Sequence, residues 1–323
     1  MPSQRFKRLR AALACLLLAV AVWYSVLWLL CYSLAGPARQ AIPAPPVDPP
    51  TTNVEFSSAG QTLRGWWLPG VPGKGAVVLM HGVRANRLAM LERAKFLHKA
   101  GFSILLFDFQ AHGESAGRRI TFGHLESRNA QAAVDFVQRR TPGEHIGVIG
   151  ISLGGAAAIL ATPRLNVDAM VLESVYPAID QAIFDRLAMR LPAPFPAMLT
   201  PFLTSQLPGC TACDTARLRP IDSVRTIAAP KFFIAGSEDR HTTLREAKQL
   251  FEAAREPKQL WIIPGAAHID LHRFGVQEYE RRVLAFLEPR LAKAPAATAC
   301  SGGFNIQAHA PPQSPADVHQ RVE

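Results

Sequence analysis

Charged residues are absent from one long stretch near the start of this 323-residue chain. None occurs from Ala11 to Ala38, and the stretch begins AALACLLLAVAVWYSVLWLLCYSLAG. This exceeds the roughly 20 apolar residues that a helix needs to cross a bilayer. Four basic residues precede it without any acid: Arg5, Lys7, Arg8 and Arg10. A basic flank stays in the cytoplasm, so the sequence predicts a basic cytoplasmic N-terminus over residues 1–10.

The apolar run itself predicts a transmembrane signal-anchor helix over residues 11–34, with everything after it on the extracytoplasmic side, the periplasm in a bacterium. Aromatic side chains, which favour the membrane interface, lie toward its far end: Trp23, Tyr24, Trp28 and Tyr32. A secreted protein with a cleaved signal peptide is the alternative, because SLA before Gly36 resembles a cleavage site. The run is longer than the roughly 7–15 residues of a signal-peptide core, which favours the uncleaved anchor.

Cysteine is scarce, with five in the whole chain. Cys15 and Cys31 fall in the predicted anchor, and Cys300 lies near the carboxyl end. Cys210 and Cys213 form CTAC, but no second Cys/His pair follows at zinc-finger spacing, so no metal site is expected here. An exported domain would allow a short disulfide between these two residues. Two unbonded loop thiols are the alternative.

The net charge of +10 does not indicate a nucleic-acid partner. Much of the basic excess lies in the N-terminal flank, where it is a topology signal, and elsewhere basic and acidic residues are mixed. No recognised nucleic-acid-binding motif is present. We therefore expect no nucleic acid among the partners. The hydrophobic fraction of 49% is sufficient for a sizeable folded core.

Composition divides the rest of the chain into three parts. Residues 35–52 are rich in proline and predict an extended, semi-rigid tether. Residues 53–293 alternate short apolar runs with helical patterns and predict the folded domain. Residues 294–323 have no apolar periodicity and much Pro, Ala, Ser and Gly, so they predict a disordered tail.

The alternation in the folded domain predicts an α/β class, with a mostly parallel central sheet flanked by helices. Continuous apolar runs such as AVVLM (76–80) and SILLFDF (103–109) are typical of strands that are buried on both faces. Residues 177–220 interrupt the alternation with a Pro-rich apolar stretch. It predicts short helices that form a lid between two strands. A packed excursion without a functional role is the alternative.

GISLGG, residues 150–155, joins a predicted strand to a predicted helix. G-x-S-x-G in this context is typical of a nucleophile elbow, with Ser152 as the nucleophile. Gly150 and Gly154 supply positions where neighbouring backbone leaves no room for a Cβ. The N–H of Leu153 opens the following helix and is a candidate oxyanion donor. The second donor is expected in the loop after AVVLM, and we assign it to the N–H of Val83 in HGVRANR.

A serine nucleophile needs a base and an orienting acid. Asp239, in GSED, and His268, in GAAH, follow Ser152 in the expected order, and each lies in a loop after a predicted strand. Glu238 is the alternative acid. His241 and His272 are the alternative bases, although His241 is also placed to line the pocket and His272 to begin the last helix. His81 precedes the serine in the chain and is interpreted as structural.

HGV, FDFQAHGES, GISLGG, GSED and GAAH occur in this order over roughly residues 53–290. The set resembles the α/β-hydrolase superfamily, in particular its Bem46-like proteins and serine-aminopeptidase-like lipases and esterases. The resemblance implies that D-x-x-x-H-G-x-S is a structural turn, matched by a group of four residues: Asp108, His112, Gly113 and Ser115. Relatives often have Asn after His-Gly, where this chain has Val83, so only a backbone donor remains there.

Together these features predict a membrane-anchored serine hydrolase that acts on a small-molecule acyl ester or thioester, with a lipid-like apolar substrate suggested by the lid and the anchor. The triad would be Ser152, His268 and Asp239, without a metal or organic cofactor. A peptidase or amidase on the same triad is one alternative. A non-catalytic, membrane-tethered binding domain on a hydrolase scaffold is the other, because fold alone does not establish chemistry.

Overall fold

The computed structural model describes residues 4–293. An N-terminal helix is followed by a domain in which strands and helices alternate, and the predicted α/β class with a mostly parallel sheet is confirmed. The tail predicted over residues 294–323 and the first three residues of the predicted cytoplasmic flank lie outside the described residues.

The strands form one large and one very small sheet. Their bounds are β1 (Ala38–Arg39), β2 (Thr52–Ser58), β3 (Gln61–Leu68), β4 (Ala76–Met80), β5 (Ser103–Phe107), β6 (His112–Gly113), β7 (Ile146–Ile151), β8 (Ala169–Glu173), β9 (Lys231–Gly236) and β10 (Lys258–Ile263). The eight-stranded sheet has the order β10-β9-β8-β7-β4-β5-β3-β2, and β1 pairs with β6. Only β3 runs antiparallel to its neighbours β2 and β5, and the other pairs in the large sheet are parallel.

The helices are α1 (Gln4–Leu34), α2 (Leu91–Lys99), α3 (His124–Arg140), α4 (Leu153–Leu160), α5 (Ile179–Ala188), α6 (Phe195–Thr211), α7 (Pro220–Ser223), α8 (Leu244–Ala253), α9 (Leu271–Phe274) and α10 (Val276–Leu291). Residues of α3, α4 and α8 pack on one face of the sheet, and residues of α2 and α10 pack on the other. Every residue of β4 and β5 is buried as a result. This explains their unbroken apolar sequences, because both faces of these strands contact helices.

The parallel strands place four loops at one edge of the sheet. β4, β7, β9 and β10 run in the same direction, so the loops that follow them all lie at their carboxyl ends. Val83, Ser152, Asp239 and His268 belong to these loops. Ligands of open α/β sheets bind outside the carboxyl ends of the strands, so this edge is where a functional site is expected.

Helix α1 has 31 residues and is about 46 Å long at 1.5 Å per residue. It is longer than the predicted anchor, because it already begins at Gln4 in the basic flank. Within residues 4–293 it is the one helix that is long and apolar enough to cross a membrane. Most of its side chains are exposed, whereas Leu27 and Cys31 are buried.

The first part of the segment predicted as a tether is attached to the domain. β1 pairs with β6, the N–H of Ala38 donates to the carbonyl of Ala111 (2.7 Å), and the N–H of Gln40 donates to the carbonyl of Gly113 (3.0 Å). Ile42 packs against the apolar core on one face of the sheet. The start of this segment is therefore bound to the domain rather than free, because its backbone groups find partners in the structural turn around residues 111–113.

Residues 177–220, which we call the lid segment, lie between β8 and β9, contain the helices α5 and α6, and end at the first residue of α7. The prediction of helices at this position agrees with the structure. Several large apolar side chains of the segment are exposed: Phe184, Phe195, Met198 and Phe202. The last three turns of α1 pack against α6, with the rings of Tyr24 and Phe202 edge to face at 6.2 Å between centroids.

Candidate active site

Ser152 lies on a sharp turn between β7 and α4. Its φ of +49° and ψ of −108° place a residue with a Cβ in a strained region of backbone space. The turn is held on one side by the N–H of Ser152, which donates to the carbonyl of Glu173 (2.8 Å). Only 3% of Ser152 is exposed. Strain of this kind, held by the surrounding structure, is the geometry expected of a nucleophile elbow.

Close backbone contacts explain the glycines around the serine. A Cβ on Gly150 would lie 2.5 Å from the backbone N of Gly155, and a Cβ on Gly154 would lie 2.2 Å from the carbonyl O of Met80. Both distances are far below van der Waals contact, and the obstructing atoms belong to backbone. Gly155 is equally restricted, because its Cβ would lie 2.3 Å from Cγ2 of Val175. The elbow thus depends on three glycines, of which the sequence pattern identified two.

Asp239 and His268 form a hydrogen-bonded pair. Nδ1 of His268 lies 2.8 Å from Oδ2 of Asp239. Asp239 is buried, whereas the imidazole remains partly exposed. Oδ1 of Asp239 accepts from the N–H of His241 (2.8 Å) and of Thr242 (3.0 Å), and Oδ2 also accepts from the hydroxyl of Thr242 (2.7 Å). These bonds fix the carboxylate, which in turn fixes the imidazole plane.

The charge of Asp239 is stabilised by the same contacts. Burial acts to raise the pKa of Asp239, but the bonds from His268 and Thr242 outweigh it and lower the pKa to about 2. The group is therefore a carboxylate at neutral pH. An ionised acceptor at Nδ1 keeps the proton of a neutral imidazole on that nitrogen, which leaves Nε2 free to act as a base.

The structure brings Asp239 and His268 into contact, but it contains no hydrogen bond between Ser152 and His268 among residues 4–293. The serine and the histidine are related by their positions at the same edge of the sheet, in the loops after β7 and β10. Catalytic hydrogen bonds are often long in unliganded enzymes and shorten when substrate binds. Ser152 and the hydrogen-bonded pair of Asp239 and His268 therefore lie at one edge of the sheet, with the imidazole oriented by the carboxylate.

Residues 81–87, which we call the oxyanion loop, lie over the elbow. A Cβ on Gly82 would lie 3.9 Å from Cβ of Ser152. Val83 and Leu153 pack in the same small apolar cluster. In the described part of the chain, neither backbone N–H of this pair has an acceptor. Two unpaired donors next to the serine are what an oxyanion site requires.

Residues of the structural turn hold the middle and the end of the oxyanion loop. Oδ1 of Asp108 accepts from the N–H of Arg87 (2.7 Å), and Nε2 of His112 accepts from the N–H of Arg84 (3.0 Å). A Cβ on Gly113 would lie 2.2 Å from Oδ2 of Asp108, and the hydroxyl of Ser115 donates to the carbonyl of Asp108 (2.6 Å). These contacts agree with the interpretation of this motif as scaffold.

His81 is also occupied by structural contacts. Its Nε2 accepts from the N–H of Phe109 (3.0 Å), and its Nδ1 donates to the carbonyl of Gly82 (2.7 Å). Burial, together with the neighbouring His112, lowers the pKa of His81 to about 3. Both nitrogens of this neutral ring are engaged, so it offers no free base to a substrate.

The structure does not bring the alternative acid or one alternative base to the site. The side chain of Glu238 is exposed, while its N–H donates to the carbonyl of Ala266 (2.8 Å). Nε2 of His272 lies 2.9 Å from Oε1 of Glu280, and its ring stacks on Phe96 at 5.5 Å between centroids. His272 is thus part of the packing between α2 and α10.

His241 lies beside His268, with 4.7 Å between the ring centroids. Burial lowers the pKa of His241, and His268 and Arg186 lower it further. Asp239, His241 and His268 are the one group of described residues with side-chain atoms close enough to share a metal ion. However, both oxygens of Asp239 and the Nδ1 of His268 are already hydrogen-bonded. The arrangement therefore fits a positioned base better than a metal site.

A buried ionic network, which sequence analysis missed, connects the elbow to the histidine loop. The guanidinium of Arg93 donates to both oxygens of Glu173 (3.1 and 2.7 Å) and to the hydroxyl of Tyr279 (3.0 Å). Its third nitrogen lies 2.8 Å from Asp270. Glu173 is the residue whose carbonyl holds Ser152, and Asp270 is two residues after His268. Arg93 therefore fixes the distance between the two loops.

Replacing Arg93 by Met is expected to lower the free energy of unfolding by about 3–5 kcal/mol, because the variant leaves the buried carboxylate of Glu173 without its cation. Chemical denaturation followed by circular dichroism measures the change. The matched control is Lys95→Met on the same helix. The exposed ion pair of Lys95 with Glu92 is expected to contribute less than about 1 kcal/mol to the free energy of unfolding. Equal stability losses in both variants would contradict a special role for Arg93.

Comparison with known proteins agrees with this geometry. The family model for serine aminopeptidase, S33, matches residues 72–214. The chain is 25% identical over 241 residues to the protein YqkD of Bacillus subtilis, which covers 72% of this chain and 77% of that protein. It is 27% identical over 253 residues to the protein Rv2307c of Mycobacterium tuberculosis, which covers 77% of this chain and 82% of that one.

A similar solved structure is the esterase Pf2001 of Pyrococcus furiosus. It has 25% sequence identity and a TM-score of 0.66, and the match covers 80% of this chain and 98% of the esterase. The parallel sheet, the strand–serine–helix turn and these likenesses define a hydrolase with an α/β fold. The chain has the α/β-hydrolase fold, and over residues 72–214 it is similar to the serine aminopeptidase family of that superfamily.

Proposed function

We propose that this protein is a membrane-anchored serine hydrolase that cleaves acyl esters or thioesters, which makes it a carboxylic ester hydrolase. The observation that supports this best is the hydrogen-bonded pair of Asp239 and His268 at the sheet edge where the strained Ser152 lies. A serine, a base and an ionised acid on three loops of one edge are the parts that acyl transfer needs.

In the proposed acylation step, Oγ of Ser152 attacks the acyl carbonyl carbon while Nε2 of His268 takes the hydroxyl proton. The negative charge that develops on the carbonyl oxygen is stabilised by the N–H groups of Leu153 and Val83. The carbon–oxygen or carbon–sulfur bond then breaks, and the leaving group takes the proton from His268. An acyl group remains on Ser152.

In deacylation, His268 removes a proton from water, which attacks the acyl carbon. The same two N–H groups stabilise the second oxyanion. The bond to Ser152 breaks, Oγ recovers its proton from His268, and the acid leaves. Asp239 keeps its charge throughout and stabilises the imidazolium that forms in each step.

Membrane anchoring is proposed from helix α1, with its basic start in the cytoplasm and the catalytic domain on the other side. The alternative, a secreted protein cleaved after Ala35, is less compatible with the contacts there. Ala35 is fully buried, and its carbonyl accepts from the N–H of Ile120 (2.9 Å). Cleavage after Ala35 would remove this buried residue and its contacts from the mature domain.

A lipid-like substrate is proposed because the lid segment carries exposed apolar side chains next to the anchor. Phe195 and Met198, at the start of α6, are 51% and 58% exposed. Exposed apolar groups of this size next to a membrane helix favour contact with acyl chains. A substrate with an apolar acyl part would approach the sheet edge from this side.

Two other functions remain to be separated by experiment. The description of the matching family model, serine aminopeptidase, favours a peptidase on the same triad as the alternative within this class. A non-catalytic binding domain is the alternative outside it. Full-length protein in detergent should react with a fluorophosphonate probe at Ser152. If Ser152 stays unlabelled in folded protein, the catalytic proposal fails, and cleavage of aminoacyl anilides rather than esters would favour the peptidase.

We expect hydrolysis of p-nitrophenyl esters to rise with acyl chain length from acetate to octanoate, because longer chains bury more apolar surface, worth about 0.8 kcal/mol per buried methylene. The measurement is kcat/KM across the series, with Ser152→Ala as the blank. Strict preference for acetate would contradict the lipid-like substrate while leaving the esterase proposal intact.

A further inference from the structure

Helix α1 and the lid helix α6 contact each other along two turns. The ring of Tyr24 lies against Phe202, and one helical turn later Trp28 lies opposite Gly209, where a Cβ would be 3.8 Å from Nε1 of Trp28. The last contact of the series is made by Cys31, which is one of the few buried residues of α1. The end of the predicted anchor is thus packed against the lid.

Cys31 meets Cys210 at this contact. Each residue is only 5% exposed, both are unbonded thiols in the structure, and their side chains are neighbours at this contact. Sγ of Cys210 also lies 3.9 Å from the carbonyl O of Trp28, one turn before Cys31. Both cysteines belong to one apolar cluster that includes Leu207. Two cysteines from distant parts of the chain therefore lie next to each other in the packed contact between α1 and α6.

The neighbouring Cys213 is directed elsewhere. Its thiol donates to the carbonyl of Asp214 (3.3 Å), and burial raises its pKa to about 11. The CTAC spacing suggested a local pair of Cys210 with Cys213, but the contact of Cys210 is with Cys31. The first residue after α6, Ala212, has a φ of +54°, which turns the chain away between the two cysteines.

We propose that Cys31 and Cys210 form a disulfide that ties the lid helix to the membrane anchor. The proposal goes beyond the hydrolase activity and rests on the proposed extracytoplasmic location, where disulfides persist. The two thiols lose two protons and two electrons as the sulfur–sulfur bond forms. An oxidised dithiol protein of the thioredoxin-like class accepts them by thiol–disulfide exchange, and its own disulfide becomes two thiols.

The bond would fix one end of the lid at the level where α1 leaves the membrane. The guanidinium of Arg119 lies 3.3 Å above the ring of Tyr32 and donates to the carbonyl of Tyr32 (3.0 Å), which marks a polar boundary next to Cys31. The other end of α6, with Phe195 and Met198, carries no such attachment. Opening of the lid would then occur at the start of α6 rather than at its end.

The test uses full-length protein isolated from cell membranes with thiols trapped by N-ethylmaleimide before lysis. Proteolysis and mass spectrometry should find the peptides of Cys31 and Cys210 joined, with a mass two hydrogens below their sum. The variant Cys213→Ser should keep this linked peptide. Alkylated Cys31 and Cys210 in the trapped protein, or a bond from Cys210 to Cys213, would overturn the proposal.

Thermal unfolding gives a second measurement that does not depend on activity. Dithiothreitol should lower the unfolding temperature of the wild type and of Cys213→Ser by at least about 5 °C, because the loop closed by the bond is long. It should not change that of Cys31→Ser. Equal effects of dithiothreitol on the unfolding temperatures of all three proteins would contradict the proposed disulfide. Absence of ester hydrolysis would contradict the proposed function and leave the disulfide proposal intact.

Discussion

Replacing Ser152 by alanine is expected to lower kcat for an acyl ester by about 10⁶-fold. The remaining rate should exceed the uncatalysed rate only by the acceleration that the oxyanion donors still give. The change removes one oxygen and leaves the strained turn with a side chain of similar size. His268 and Asp239 keep their hydrogen bond but have no hydroxyl proton to accept. Steady-state hydrolysis of a p-nitrophenyl ester by purified, folded variants measures the loss.

The chain offers a matched control in Ser174. It follows β8 at the same edge of the sheet, has a φ of +47°, and its buried Oγ has no hydrogen-bond partner among the described residues. Ser174→Ala should therefore keep activity within about twofold of the wild type, as expected for a substitution that breaks no contact. Loss of activity in Ser174→Ala with retention in Ser152→Ala would assign the nucleophile to Ser174 instead.

Much of the fold could be predicted because each element carries its own local pattern. The apolar run 76–80 is β4, Ala76–Met80, without a residue of difference. β2 and β3 form a hairpin through Ala59 and Gly60, both with positive φ, as a two-residue turn requires. Periodicity and turn residues act over a few positions, so the sequence displays them directly.

The candidate site could be predicted for a related reason. Parallel strands bring the loops at their carboxyl ends to one edge of the sheet. The sequence alone therefore predicts that Ser152, Asp239 and His268 lie at the same edge. Contact between Asp239 and His268 agrees with that expectation. The steric need for glycine at 150 and 154 followed from the elbow motif, and Gly155 was missed because the motif does not include it.

Contacts between distant residues could not be predicted. Arg93 and Glu173 are 80 positions apart. A single charged residue in a helix or at the end of a strand forms no repeating pattern that would identify its partner. The attachment of residues 38–40 to the turn at 111–113 is likewise a tertiary contact. It could not be predicted because the proline-rich composition of this segment indicates a free tether. The contact of Cys210 with α1 is a third case, because the short spacing in the sequence pointed to Cys213.

Replacing Asp239 by asparagine is expected to lower kcat by about 10⁴ with little change in KM. Oδ1 of Asp239 accepts from two backbone N–H groups, of His241 and Thr242, so the amide oxygen of asparagine must occupy that position. The amide nitrogen then faces Nδ1 of His268 and donates to it. The proton of a neutral imidazole is forced onto Nε2, which can no longer accept a proton from Ser152.

The Asp239→Asn substitution should also change how the free energy of unfolding depends on pH. The pKa of Asp239 in the folded protein is about 2, below the roughly 3.9 of an unfolded chain. A depressed carboxyl pKa stabilises the fold above the unfolded value by about 2–3 kcal/mol, and this is lost as pH falls through the folded value. The difference in unfolding free energy between wild type and Asp239→Asn should therefore shrink as the pH falls from 6 toward 2.

Glu238→Gln separates the acid of the pair from its neighbour in sequence. Glu238 is exposed, so this variant should keep the wild-type kcat and the wild-type slope of stability with pH. Two independent measurements are thus available, kcat and the slope of stability with pH. Both should change in Asp239→Asn, and neither should change in Glu238→Gln. A kcat for Asp239→Asn within tenfold of the wild type would mean that the bond between Asp239 and His268 orients a structural histidine, and the base would have to be sought in His241.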